Sequence, residues 1–378
     1  MSGGSTGFLW HELFAWHDIG TSAAHFPAGG WLQPDVPGDG PEPKRRLRNL
    51  VEVSGLLDSL TPLRPRPATD AELTAVHTAG YVRALERAAG AGGGDAGEMT
   101  PFGRESVRIA RLAAGGCLVA VEAVLDGVTR NAYALVRPAG HHAERERGRG
   151  FCLFANVAIA ARHAQRRGVK RIAIVDIDTH HGNGTQAAFW DDGNVLTVSV
   201  HQDRGFPVDS GAIEERGERA GLGANVNIPL PPGSGTDAHV EAIERVVVPA
   251  LERHQPELVL VACGLDACAL DPYGRMLVHS EGFRRIGTLL VEAADELCGG
   301  RLVACHEGGY STAYAPFCGL AFIEALAGIR TEVVDPFLDE LQAAGGQEVA
   351  PHQRQAIDAA AAGAGVGSGA AAGERRGL

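Results

Sequence analysis

The chain has 378 residues, 45% of them hydrophobic and 21% charged, the proportions of an ordinary globular protein. Its formal net charge of -12 argues against nucleic-acid binding, which needs a basic face toward the phosphates, but is compatible with a cationic substrate. No apolar run approaches the roughly 18 residues that span a bilayer, and the opening MSGGSTGFLWHELF lacks a basic region followed by a long apolar core, so neither a membrane span nor a signal peptide is expected.

The first 67 residues are rich in Trp, Gly and Pro, as in WHELFAWHDIG, PAGGWLQPD and GPEPKRR, and read as a rim of loops and short helices. His11 and His17 do not fit the HExxH pattern and are taken as rim or structural residues; PKRR, and later GVKR, are taken as solvated faces. From Glu105 to Leu125 the apolar residues Val107, Ala110, Ala114, Cys117, Val121 and Leu125 recur on one helical face. Short apolar runs then predict strands at Ala132–Val136, Arg171–Ile177, Val195–Val200, Leu258–Ala262 and Leu302–Cys305, each covered on both faces. Helices are predicted between them over 156–167, 237–254 and 281–297, the last with Ser280 as N-cap. GLGAN is too sparse for a dinucleotide fingerprint and reads as a loop.

Strand–helix alternation predicts an α/β domain with a doubly wound, largely parallel sheet. It is expected to span residues 1–345, followed by a Gly/Ala-rich tail over 346–378, disordered from about residue 350 because it lacks large apolar side chains. The seven cysteines, at 117, 152, 263, 268, 298, 305 and 318, form no CxxC pair and read as reduced buried thiols of a cytoplasmic protein.

In an open parallel sheet, ligands bind beyond the carboxyl ends of the strands. Four predicted strands end in polar clusters: RPAGHHA with His141 and His142, DIDTHHGNG with Asp176, Asp178, His180 and Asn183, CGLDA with Asp266, and HEGGY with Tyr310. Asp, His, Asn and Gly are common turn residues, so one such cluster says little; four at four strand ends point to one site. Asp176, Asp178 and His180 are spaced by two and diverge once the strand ends, so that Asp178 and His180 can clasp a metal that Asp266 closes from a neighbouring strand. Two carboxylates and an imidazole suit zinc with an open position for water, and iron(II) or cobalt(II) suit the same set.

RPAGHHA, GFCLFANVAIAA, VDIDTHHGNGTQ, CGLDA followed by DPYGRM, and HEGGY, in that order between about residues 10 and 340, resemble the signature of the histone deacetylases. Asn183 in HHGNG and Glu307 before the glycines are similar to the class II enzymes and their bacterial amidohydrolase relatives. The resemblance implies the arginase–deacetylase fold, a three-layer α/β/α domain around a sheet of roughly eight strands. It implies zinc on Asp178, His180 and Asp266, His142 as general base and then acid, His141 as a cation held by Asp176, and Tyr310 as donor to the oxyanion. Class I enzymes carry a second carboxylate where this chain has Asn183, and some class II relatives that are poor deacetylases carry His where it has Tyr310.

By the same resemblance, Phe151 and Phe206 flank an acyl-lysine tunnel, Gly150 leaves room for the alkyl stem, and Asp95 sits at the rim, although lone phenylalanines are more often core and Asp95 also fits a turn after three glycines. Tyr273 replaces the usual Leu or Met at the tunnel mouth, where a Glu would point to polyamines. A potassium ion is implied near the backbone of Asp176, Asp178, His180, Ser199 and Val200, and a second alkali site around Phe189, Asp192 and Val195. The expected substrate is an acylated lysine or a smaller acylated amine, and hydroxamates are expected to inhibit. The competing readings are a two-manganese ureohydrolase, which needs more bridging Asp and His ligands, and a silent acyl-lysine binder, which would have lost His142 or Tyr310. Whether the chain forms a homo-oligomer is left open.

Overall fold

Strands that are apolar on both faces need helices above and below them. A computed structural model describes residues 5–23 and 26–366. Its central sheet contains β1 (Thr6–Leu9), β2 (Thr61–Leu63), β3 (Asn131–Ala134), β4 (Ile172–Asp176), β5 (Val195–Gln202), β6 (Asn225–Leu230), β7 (Leu258–Cys263) and β8 (Leu302–His306). Their spatial order is β6-β5-β4-β7-β8-β3-β1-β2, and every neighbouring pair is parallel.

The principal helices are α1 (Glu42–Val53), α2 (Ala79–Ala91), α3 (Ser106–Leu125), α4 (Asn156–Arg166), α5 (residues 236–254), α6 (Ser280–Cys298), α7 (Ala315–Ala327) and α8 (Pro351–Ala364). Alternate residues of β4 serve two cores: Ala173 and Val175 pack with Leu47 of α1, Phe283 of α6 and Phe322 of α7, while Ile172 and Ile174 pack with Val82 of α2, Val121 of α3 and Ile159 of α4. This is the period-2 alternation of an extended chain, and it gives the three-layer α/β/α architecture of the arginase–deacetylase fold.

The five strands expected from sequence all form, with ends shifted by one or two residues. β1, β2 and β6 were not legible as strands. β2 and β6 are the sheet edges, they carry Pro62 and Pro229, and proline in a strand reads as a breaker unless the edge is known. The segment up to residue 67 is therefore only partly loops: it contributes two strands of the main sheet and a helix of 12 residues. α5 passes through a π turn at Ile243–Val247, just before Pro249, whose ring would clash with the carbonyl of residue 245 in a regular α-helix. The N-cap of α6 is His279 rather than Ser280: its ring accepts the Gly282 N–H, and the Ser280 hydroxyl donates to Asp335 instead.

The expectation of disorder from about residue 350 fails over Pro351–Ala364. That stretch is α8, with Gln353, Ile357, Ala360, Ala361 and Ala364 buried against the edge strand β6. Low complexity misled because alanine is the strongest helix former, proline is favoured in the first turn and Gly365 closes the helix in the left-handed conformation. Small side chains also let a helix approach a sheet edge closely. The rest of the expected tail, 367–378, lies outside the described residues. Ile357→Ala should cost about 2–4 kcal/mol in urea unfolding; an unchanged midpoint would return α8 to the status of a loose tail. All seven cysteines are buried and free, and among the described residues no helix is long and apolar enough to cross a membrane.

Candidate active site

β4, β7, β8 and β3 are consecutive neighbours, so their four carboxyl-end loops converge on one crevice, where an open parallel sheet binds its ligands. A cavity of about 670 Å³ opens there, lined by His142, Gly150, Phe151, His180, Phe206, Tyr273 and Tyr310 among others.

At its floor Asp178, His180 and Asp266 each offer one ligand atom, all within 4.8 Å of one another. Nδ1 of His180 lies 3.1 Å from Asp178 Oδ1 and 3.0 Å from Asp266 Oδ2. Backbone donors fix the other oxygens: the Gly308 N–H donates to Asp178 Oδ2 and the Thr179 N–H to Asp266 Oδ1, both at 2.8 Å. Two glycines make the convergence possible. A Cβ on Gly264 would lie 2.1 Å from Asp178 Oδ2, and one on Gly308 would lie 2.3 Å from Asp266 Oδ2. Burial opposes a charged His180, yet Asp266 and Asp178 together push its pKa well up; burial and the Asp178 carboxylate push Asp266 above the usual carboxylate range. Two buried carboxylates beside one imidazole form a pocket of negative potential that a divalent cation relieves. The donor set of two oxygens and one nitrogen fits the zinc implied by the sequence.

Asp176 turns one carboxylate oxygen to His141, with Nδ1 and Oδ2 2.9 Å apart. Burial disfavours the His141 cation, but Asp176 and Asp178 push its pKa up to about 10. His142 is held well below the usual value by burial and then by His141. The two ring centroids lie 3.9 Å apart with the planes tilted by 43°, a cation beside a neutral base. Nδ1 of His142 lies 2.8 Å from Asn183 Oδ1. The Asn183 amide nitrogen donates to Glu144, so its oxygen is the acceptor, the His142 Nδ1–H donates, and Nε2 is left as the basic atom.

Tyr310 faces this pair across the cavity. Its backbone N–H donates to Asp271 Oδ2 at 2.7 Å, and Tyr273 N–H donates to Asp271 Oδ1 at 2.9 Å, so one carboxylate ties both tyrosine loops together. The two rings meet edge to face at 4.9 Å, and Lys44 Nζ lies 4.9 Å over the Tyr310 ring. Burial and then Asp266 push the phenol pKa well above its usual value, which keeps the hydroxyl a donor.

Phe151 and Phe206 both line the cavity, and Phe206 meets His142 edge-on at 4.9 Å. Gly150, at φ +50°, sits between them: a Cβ there would lie 2.6 Å from His142 Cδ2 and 2.7 Å from Phe206 Cε1. Gly150→Ala should therefore lower kcat/KM by about one to two orders of magnitude in steady-state assays; full activity would mean that the passage lies elsewhere. Asp95 is exposed, accepts the Gly97 N–H at 3.0 Å and is not among the residues that line the cavity. Ser199 is the register partner of Asp176 across β5 and β4, and both line a small void of about 10 Å³ below the site. Phe189 and Asp192 lie in the turns that lead into β5 at Val195.

Several groups were missed from sequence or, like His17 and Glu307, were named there without the contacts they make. PKRR is not simply a solvated face, because Lys44 is 1% exposed and lies 3.0 Å from Asp39, which also holds Arg137 at 3.0 Å. His17 is buried beside this triad, and burial and Arg137 lower its pKa to about 3. Glu307 Oε2 accepts the N–H groups of Gly140 and His141 and so pins the histidine loop. Arg137 and Asp271 stood inside motifs already singled out, RPAGHHA and DPYGRM; Asp39 and Lys44 left no signal in a loop-rich segment.

The histone deacetylase domain family matches residues 40–326. A histone deacetylase-like amidohydrolase of Pseudomonas aeruginosa is 48% identical over 341 residues, 89% of this chain and 90% of that protein. Histone deacetylase 8 of Arabidopsis thaliana is 37% identical, over 85% of this chain and 87% of its own. The solved HDA15 HD domain superposes with a TM-score of 0.83 at 30% identity, covering 96% of this chain and 95% of that one. By fold, by site geometry and by these similarities, the chain belongs to the histone deacetylase family.

Proposed function

We propose that this chain is a zinc-dependent amidohydrolase of the class II type that removes an acyl group, acetyl foremost, from the side-chain nitrogen of lysine or from a related acylated amine. The observation that carries this reading is the convergence of Asp178, His180 and Asp266 with His142 and Tyr310 over one cavity. What a zinc ion supplies when bound by those three ligands is polarisation of the scissile carbonyl and a pKa lowered to about 7 for water.

The chain's own groups do the rest. His142 accepts the proton of the attacking water at Nε2 and passes it to the departing amine nitrogen as the C–N bond breaks. Asn183 orients the ring without adding a charge that would make the proton hard to release. His141, paired with Asp176, holds positive charge beside the reaction centre. Tyr310 donates its hydroxyl to the carbonyl oxygen as negative charge develops there. Phe151, Phe206 and Tyr273 enclose the alkyl stem and exclude water, and Gly150 leaves it room. The products are a carboxylate and a free amine.

Iron(II) or cobalt(II) suits the same ligands, and the metal content of the purified protein decides among them. A potassium ion on the backbone near Asp176, Asp178, His180, Ser199 and Val200 would stabilise the strand ends behind the ligands. Reduced, buried cysteines fit a cytoplasmic setting. Acetylpolyamines and small amides share the same machinery with acetyl-lysine. The test is hydrolysis of acetyl-lysine peptides and acetylpolyamines by the purified protein, with and without a hydroxamate. Turnover that the hydroxamate abolishes is the expected result; no hydrolysis of any acylated amine would overturn the reading.

A further inference from the structure

The mouth of the cavity carries charge opposite in sign to the molecule. The chain has a net charge of -12, yet among the described residues the Arg, Lys, Asp and Glu side chains that line the cavity are Arg204, Arg275 and a single carboxylate, Asp203. Asp203 lies 3.5 Å from the Arg204 guanidinium. Among the described residues, Arg275 has no ion pair or side-chain hydrogen bond.

Both arginines are displayed from fixed backbone. The Arg275 N–H donates to Gln202 Oε1 at 2.9 Å, and its carbonyl accepts the Gly233 N–H at 2.7 Å. The Gln202 carbonyl accepts the Gly205 N–H and closes the turn that presents Arg204 at φ +54°. One glutamine thus ties together the two loops that carry the arginines. An exposed arginine is usually just solvated. These two differ in lining the substrate cavity, in sharing an anchored frame and in having one carboxylate between them. A guanidinium is always charged, weakly hydrated and shaped for a carboxylate.

Building on the amidohydrolase reading, we propose that Arg275, with Arg204, selects acylated lysines that carry a carboxylate close by: an acidic residue beside the acyl-lysine in a peptide, or the lysine's own free carboxyl group. The same charges disfavour polycationic substrates.

The test compares zinc-loaded full-length protein on acetyl-lysine peptides flanked by glutamate, glycine or lysine, and on free Nε-acetyl-lysine. At low salt, kcat/KM should fall from glutamate to glycine to lysine, with about tenfold between the extremes, and the spread should shrink at high salt. Arg275→Glu should reverse the order. Arg108→Gln, an exposed arginine on α3 paired with Glu105, should leave it intact. Free acetyl-lysine rivalling the glutamate peptide would make the amino acid's own carboxylate the group recognised; free acetyl-lysine matching only the glycine peptide would assign the selection to acidic neighbours. Equal kcat/KM for the three peptides would overturn the proposal and leave the amidohydrolase reading standing. Were none hydrolysed, that reading would fail, and the peptides' dissociation constants for Tyr310→Phe would decide this one: tighter binding of the glutamate peptide upholds it, equal binding overturns it.

Discussion

Tyr310→Phe should lower kcat on an acetyl-lysine peptide about a hundredfold or more, with bound metal and thermal stability unchanged. The substitution is well suited to isolating one atom. The backbone N–H that anchors the residue to Asp271 remains, as do the edge-to-face contact with Tyr273 and the position under Lys44. Only the hydroxyl is lost. A phenol whose pKa is pushed up by burial and by Asp266 serves as a proton donor in a hydrogen bond, which is what a developing oxyanion needs. KM should move little, since the ground-state carbonyl gains less from that bond than the transition state does. Steady-state kinetics and metal analysis of the same preparation check the result. Normal turnover would remove Tyr310 from the chemistry.

Asp39→Ala should destabilise the fold by about 3–5 kcal/mol, because it leaves Lys44 and Arg137 buried without their counter-ion. Asp39 is 2% exposed, and both cations are 1% exposed. Arg137 also donates to the carbonyls of Phe14 and His17, so the triad joins the segment before α1 to the loop that carries His141 and His142. Burial alone would raise the Asp39 pKa, but Arg137 and Lys44 outweigh it and hold the carboxyl below the usual range. A carboxyl depressed in the folded state contributes stability above its unfolded pKa and loses it as pH falls through the folded value. The gap between wild type and variant should therefore persist from about pH 8 to pH 5 and close only in stronger acid. Urea titrations across that range measure it. As a reference, breaking the exposed Arg108–Glu105 pair should cost under about 1 kcal/mol. A cost that small for Asp39→Ala would mean that the triad does not hold the site together.

The candidate catalytic groups were legible because the proposed chemistry restricts them to a few residue types at the ends of apolar strands. Asp178, His180 and Asp266 could be paired across strands that had not yet been placed side by side, since the convergence of loops follows from parallel topology. The supporting groups were harder to read. Asp39 and Lys44 lie far in sequence from what they hold, and a lysine in PKRR looks solvated until α1 is packed against the sheet. Asp271 and Glu307 act by accepting backbone N–H groups, which carry no residue signature. The edge strands β2 and β6 carry prolines that argue against strands, and α8 hides in alanine-rich sequence whose burial depends on the neighbouring sheet edge. Local pattern therefore picked out the residues that the strand ends bring together, and long-range packing supplied what holds them.

Metal content and activity, measured together on wild type and on Asp266→Ala, test most directly whether Asp178, His180 and Asp266 hold one catalytic cation. Wild type should carry about one divalent ion per chain, lose activity to a chelator and regain it with zinc, while Asp266→Ala should lose most of both its metal and its activity and remain folded. Undiminished hydrolysis by metal-free protein, or full metal retention in Asp266→Ala, would contradict it.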